Sequence, residues 1–468
     1  MACRDKIFEV TDMQVLMQDA MQRALRYLSD LKTRRVSPSP AAIEALAALD
    51  FPLPEGNLDA AEVLRLLDEI GSPSTVSNAG GRYFGFVTGG SLPAALAATQ
   101  LANAWDQNAG LFVMSPIAAK LEIMASQWLV DLLGFDPETA VGFVTGATMA
   151  NFAGLAAARH AILARVGWNV EKKGLFGAPE IKVVVGEEYH VSMKKALNLI
   201  GLGSERVCTV PADEQGRIRP EELPALDAMT LVCLQSGNVN SGAFDPAADI
   251  IPLARSAGAW VHVDAAFGLW VRASEDLKHL AAGLEKSDSI ATDAHKWLNV
   301  PYDCGLVFVR QPSYLVAAMT EHAAYLPESS MRDNMHFTPE MSRRGRGIEV
   351  WAALLSLGKS GLAELIERNC RQARHFAEGL QMAGFEVLNE VVLNQVVVKF
   401  GGSQTTKRII QAVQDEGTLW AGETIWRGRT AMRISVSSWA TTDEDIETSL
   451  TCLLRIANES VGNERGSG

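Results

Sequence analysis

The chain has 468 residues, 48% of them hydrophobic and 21% charged, with a formal net charge of −13 and an isoelectric point near 5.2. That acidity argues against nucleic acid or anionic membrane as the main partner, since both repel a negative surface. The length exceeds the roughly 250–300 residues at which a single core stops growing, so two or more lobes are predicted.

At the N-terminus, Met1 to Lys6 opens no continuous apolar stretch, and no secretory signal is read there. Apolar residues at helical spacing predict a helix over Gln14 to Leu31, stopped by Ser37-Pro38-Ser39-Pro40, and a second helix over Asp59 to Ile70. Such a pair cannot bury its apolar stripes alone. From Gly85 to Arg310, strand-like runs alternate with helical ones, the pattern of a mainly parallel sheet covered on both faces. The predicted strands are Gly142 to Val144, Ile181 to Val185, Arg206 to Val210, Thr230 to Leu234, Trp260 to Asp264, Ser289 to Thr292 and Gly305 to Val309. Beyond Gly345 a long helix through Leu357 leads to a smaller lobe, with strands near Val391 to Phe400 and Ala431 to Val436. The apolar segment Ser91 to Trp105 is too short for a membrane span and carries Gln100 and Asn103. Six cysteines without a C-x-x-C pair read as reduced thiols of a cytoplasmic protein, and eight histidines without ligand spacing predict no metal.

Chemistry concentrates where strands end. Lys296 lies in Thr292-Asp293-Ala294-His295-Lys296-Trp297-Leu298-Asn299, a polar turn between two apolar runs. A lysine desolvated by neighbours such as Trp297 loses its proton more readily and forms a Schiff base with an aldehyde, which points to pyridoxal phosphate. That cofactor needs a partner for its pyridine nitrogen, a seat for its phosphate and a stacking partner for its ring. Asp264 closes the strand Trp260 to Asp264 and suits the nitrogen, although a helix cap is an equal reading. Gly146-Ala147-Thr148 follows a strand and opens an alanine-rich helix whose free N–H groups suit a phosphate. His190 follows the strand Ile181 to Val185 and suits the ring face.

Taken together these segments resemble the group II pyridoxal-phosphate-dependent amino-acid decarboxylases, the aromatic amino-acid, histidine and glutamate decarboxylases among them, and a bacterial-looking member of that family. The resemblance is carried by Gly85 to Pro93, Ser115-Pro116 with Leu121-Glu122, Gly146 to Arg159, His190 and Ser236 to Pro246. It continues through His262 to Ala266, His295-Lys296-Trp297 with Tyr302-Asp303-Cys304-Gly305, Ser342 to Arg346 and Met432 to Ser437. It implies fold type I: an α/β large domain over 85–340 with a mainly parallel seven-stranded sheet, a helical dimerisation segment over 1–84 and a smaller α/β domain over 341–468. It implies Lys296 as the internal aldimine, Asp264 on the pyridine nitrogen and His190 on the ring. Gly146, Ala147, Thr148 and His295 would surround the phosphate, with Ser236 near the ring oxygen and Ala266 beneath the ring. Tyr83, Phe84 and Phe112 fall in segments that border the family's substrate pocket. The implied reaction is decarboxylation of an L-amino acid to an amine by a cytoplasmic homodimer.

One position departs from the family. Its animal and plant members carry a loop tyrosine ahead of the Arg-Arg segment that protonates the α-carbon, and counting back from Arg343-Arg344 puts Asn334 there. An amide is no general acid, Tyr325 comes too early, and His336 is the nearby candidate donor. Loss of that hydroxyl in the family accompanies oxidative conversion to an aldehyde, so an aldehyde synthase, aldehyde-lyase or aminotransferase is the alternative. A catalytically idle binding protein of the same fold is a third reading, disfavoured by intact Lys296, Asp264 and His190.

Overall fold

The computed structural model describes residues 10–321 and 331–466. Seven strands form the larger sheet: β1 (Ala140–Val144), β2 (Lys182–Gly186), β3 (Cys208–Val210), β4 (Thr230–Gln235), β5 (Trp260–Asp264), β6 (Ser289–Asp293) and β7 (Gly305–Val309). Their order is β1-β7-β6-β5-β4-β2-β3. Pairs from β3 through β6 are parallel, and β7 runs antiparallel to both β6 and β1. The seven predicted strands all form, each within two residues of its expected ends. Strands covered on both faces are buried throughout, as β1, β5, β6 and β7 are, and β1 and β7 read as near-continuous apolar runs.

Helices flank that sheet. In chain order the helices of this part of the chain include α1 (Val10–Asp30), α2 (Ala60–Leu66), α3 (Pro93–Trp105), α4 (Pro116–Leu133), α5 (Ala147–Arg165), α6 (Val191–Leu199) and α7 (Pro312–Met319). Helix α4 is bounded by its sequence: Ser115 accepts from the Ala118 N–H, Pro116 occupies the first turn, and Gly134 closes it at φ 67°. The predicted helix over Asp59 to Ile70 is shorter as an α-helix, because Leu67–Gly71 winds as a π-helical stretch.

A second sheet lies toward the C-terminus, β8 (Glu386–Val387), β9 (Gln395–Lys399), β10 (Gly422–Trp426) and β11 (Arg429–Ser435), in the antiparallel order β10-β11-β9-β8. Three helices accompany it: α8 (Gly347–Met382), α9 (Ser403–Glu416) and α10 (Asp443–Gly466). The predicted end of the first helix at Leu357 marks a real break, since Gly358 leaves helical geometry at φ 62° and ψ −176° inside α8. Phe84 belongs to this core. It is fully buried, meets Phe376 edge-on at 5.2 Å, and exchanges backbone hydrogen bonds with Trp420 and Ser435. The expectation that Phe84 borders the substrate is therefore corrected: its ring fills the interior beneath the second sheet.

Candidate active site

The carboxyl ends of β2, β5 and β6 bring His190, Asp264 and Lys296 into one region, the place where open α/β sheets gather ligands. Asp264 is 4% exposed. Its Oδ2 accepts from Asn151 Nδ2 at 2.9 Å and Ser192 Oγ at 3.3 Å, while Oδ1 accepts from the Ala266 N–H at 3.2 Å. Donors converge on this carboxyl group from two side chains and from the Ala266 N–H, the last a local turn contact of the kind a cap makes.

His190 caps α6, its Nδ1 accepting the Ser192 N–H at 3.2 Å and lying 2.7 Å from Ser192 Oγ. Burial holds the imidazole below its ordinary range, so it is neutral near pH 7. A small cavity lined by His190, Asp264, Gln235 and Cys233 adjoins it.

Lys296 Nζ lies 3.0 Å from Asp293 Oδ2. The opposite oxygen of Asp293 accepts the Ala147 N–H at 2.5 Å and lies 3.3 Å from His295 Nε2. One carboxylate thus joins the lysine, the histidine and the first turn of α5. Nδ1 of His295 accepts the Cys304 N–H at 3.1 Å, and its ring stacks on Tyr302 at 4.2 Å. Burial lowers His295 as well. The chain closes tightly on this turn: a Cβ on Gly89 would stand 1.7 Å from the Lys296 carbonyl oxygen, and one on Gly305 2.5 Å from the Gly146 backbone. Trp297 is fully buried and donates to Asn369 Oδ1 at 3.0 Å, which fixes the turn against α8.

Gly146 precedes α5 and has no side chain with which to cap it, the Ala147 N–H is taken by Asp293, and Thr148 sits in the first turn. Ser236 Oγ is buried with no hydrogen-bond partner, and the Ser236 N–H donates to the Asp264 carbonyl at 2.8 Å. Ala266 presents only a methyl group, its carbonyl accepting from the Asp293 N–H at 2.9 Å. Tyr83 is 8% exposed, stacks on Trp420 at 5.1 Å, and has its phenol pushed up to about 12 by burial.

Residues 73–400 match the model of the pyridoxal-dependent decarboxylase conserved domain. The chain belongs to that family. The decarboxylase is 24% identical to the aromatic-L-amino-acid decarboxylase of Bacillus atrophaeus over 461 residues, covering 93% of this chain and 94% of that one. It is 28% identical to the bovine acidic amino acid decarboxylase GADL1 over 324 residues, covering 66% of this chain and 61% of the relative's length. Its fold superposes on Oryza sativa TDC, solved with PLP and tryptamine, at a TM-score of 0.89 and 21% identity, covering 97% of this chain and 99% of that one. The protein is a pyridoxal-phosphate-dependent amino-acid decarboxylase. Its residues fit that cofactor: an orphaned buried hydroxyl at Ser236, an acceptor carboxyl at Asp264 and a lysine just past a strand end.

The structure places three further residues of the sequence reading. Within the chain His336 is engaged elsewhere, its Nδ1 3.0 Å from Thr320 Oγ1, and among the described residues no hydrogen bond, ion pair or ring contact links it to Lys296, His190 or Asp264. Asn334 is framework, 1% exposed, donating to the Ala109 carbonyl and accepting from Arg332 Nε at 3.2 Å each. Phe112 is placed by its N–H, which donates to Asp333 Oδ1 at 2.8 Å, on the turn that packs against that segment. Tyr325 lies outside the described residues.

Site residues with no assigned role in the sequence reading are Asp293, Asn151, Ser192 and Arg433. Arg433 is mostly buried on β11, lowered by that burial, and within electrostatic range of Tyr83 and His190. Among the described residues no acidic side chain forms an ion pair with it. Nothing in the local pattern Met432-Arg433-Ile434 announces this, because a strand residue reaches another sheet only through tertiary packing.

Proposed function

We propose that Lys296 carries pyridoxal phosphate and that the surrounding side chains direct it to decarboxylation of an L-amino acid. The single observation that carries these assignments is the convergence of Lys296, Asp264 and His190 from three different strand ends. When bound, the group supplies an electron sink for the pair left on the α-carbon as carbon dioxide departs.

Asp264 holds the ring-nitrogen proton, a role supported by the side donors that fix its carboxyl group. Neutral His190 packs on one ring face and Ala266 underlies the other. The N–H groups of Gly146 and Thr148, with His295, would hold the phosphate at the start of α5, where the Ala147 N–H is already taken by Asp293 Oδ1. Ser236 Oγ donates to the ring oxygen, which would satisfy a hydroxyl that is otherwise orphaned. Arg433 holds the substrate carboxylate, and Tyr83 closes the pocket beside it. Lys296, once the amino acid has taken its place, would carry the proton that the α-carbon needs as carbon dioxide leaves, with Asp293 beside its amine.

The same reading makes the protein a cytoplasmic homodimer with the three-part division 1–84, 85–340 and 341–468. Support comes from α1, where Met13, Val15, Met17 and Leu25 are about half exposed or more, at 55%, 61%, 49% and 57%. No described helix is long and apolar enough to cross a membrane.

The test is product identification by mass spectrometry, with the loaded enzyme, an amino-acid panel, and oxygen present or absent. Amine in both conditions is expected, and aldehyde with ammonia in place of amine would overturn the reading. Lys296→Ala should abolish the imine absorbance and lower turnover by at least about a thousandfold. Near-normal activity in that variant would remove Lys296 from the assignment.

A further inference from the structure

Behind Asp264 a row of four side chains runs across the sheet into the core. Trp260 Nε1 lies 3.0 Å from Ser289 Oγ, Ser289 Oγ 2.8 Å from His262 Nδ1, and His262 Nε2 2.9 Å from Asn151 Oδ1. Asn151 Nδ2 then reaches Asp264 Oδ2 at 2.9 Å. Asn151, His262 and Ser289 are each 1% exposed or less, and burial pushes His262 down to about 3, so its imidazole is neutral.

Chemistry sets the direction of this row. The indole of Trp260 only donates and the Asp264 carboxylate at the far end takes the Asn151 amide as donor, so the row runs one way and the Ser289 hydroxyl proton goes to His262 Nδ1. A neutral imidazole accepting at Nδ1 carries its proton on Nε2 and gives it to the Asn151 carbonyl. The Asn151 amide is then turned to Asp264 as a donor. In the reverse order the Asn151 carbonyl would face the Asp264 carboxyl oxygen, an arrangement that requires a proton on Asp264.

A second observation shows that room was made for the imidazole. On α5, Gly154 follows Asn151 by three residues and shares its face, and a Cβ there would stand 2.7 Å from His262 Cε1 and 2.9 Å from Nδ1. The helix that starts the phosphate seat therefore also carries the amide and the gap that hold the row.

We infer that Asn151, His262 and Ser289 are positioning residues that set Asp264 as a hydrogen-bond acceptor aimed at the cofactor ring, acting only through Asp264. This rests on the assignment of Asp264 to the ring nitrogen. Outer partners of this kind orient a functional carboxylate and tune its basicity.

The experiment is a cycle of Asn151→Ala in the wild-type and Asp264→Ala backgrounds, with pyridoxal phosphate as the ligand. It reads the cofactor dissociation constant, the pH midpoint of the visible band without substrate, and kcat and KM. In the wild-type background Asn151→Ala should move the band midpoint by about half a unit or more and lower kcat about tenfold, with KM little changed. In the Asp264→Ala background it should change both by less than about twofold. Equal effects in the two backgrounds would overturn the inference, as would a silent Asn151→Ala beside a crippled Asp264→Ala. An Asp264→Ala enzyme indistinguishable from wild type would instead sink the assignment of Asp264 itself, and the inference with it. Should the variant not fold, nitrogen-15 NMR of histidine-labelled, cofactor-loaded wild type decides: a neutral His262 with its proton on Nε2 is required, and the Nδ1–H tautomer refutes the direction.

Discussion

His262 ties the chemistry of the site to the stability of the molecule. Its folded pKa of about 3 lies below the ordinary value of 6.5, so the unfolded chain binds the proton more tightly. The neutral ring's contribution is complete above about pH 6.5 and is lost as pH falls toward 3, at up to about 1.4 kcal/mol per unit. Unfolding midpoints in urea at pH 7, 5 and 4 should decline accordingly, and His262→Phe should flatten that decline while lowering the midpoint at pH 7. An equally steep acid limb in the variant would assign the loss to other groups. The sequence disclosed Lys296, Asp264 and His190 because each ends an apolar run, a pattern local to a few residues. Asn151, Ser289 and Arg433 carry no such mark: Asn151 and Ser289 act on partners 113 and 27 residues away, and Arg433 stands on a strand of the second sheet.

Between elements, the segment ahead of α8 is held by buried charge. Arg343 Nη2 meets Glu122 Oε2 at 2.7 Å, with the two side chains 1% and 0% exposed. Removing one partner strands the other, so Glu122→Ala should lower unfolding stability by about 3–5 kcal/mol, measured by denaturant titration. Replacing both by apolar residues of similar volume should restore much of that loss; a double variant as weak as the single one would show that the pair stabilises beyond its own desolvation. The same segment explains Asn334. Counting positions along a loop finds the residue aligned with a missing tyrosine, but it does not show where the backbone goes, and here the backbone buries the amide between Arg332 and Ala109. Asn334→Ala should destabilise by about 1–3 kcal/mol through the groups it leaves unpaired. Strands of the large sheet were legible to within two residues because burial on both faces suppresses alternation. The short β8 and the half-exposed β10 gave no such signal.

For the whole molecule, the apolar residues left on α1 and the acidic net charge argue for self-association rather than binding to a polyanion. Light scattering should give about twice the chain mass of 50.5 kDa, and deletion of residues 1–35 should shift the population toward monomer. A monodisperse monomer from the full chain would refute the dimer. By itself the sequence determined the large-sheet architecture and the family resemblance and singled out the three residues that the fold brings together, since strand periodicity and motif order are encoded over short stretches of chain. Only the tertiary structure decided that Phe84 is core, that His336 and Asn334 are held by Thr320 and Ala109, and that Asp264 has a row of support reaching Trp260. The physical reason is reach: a hydrogen bond or a packed ring depends on which distant elements meet, and no local pattern records that meeting.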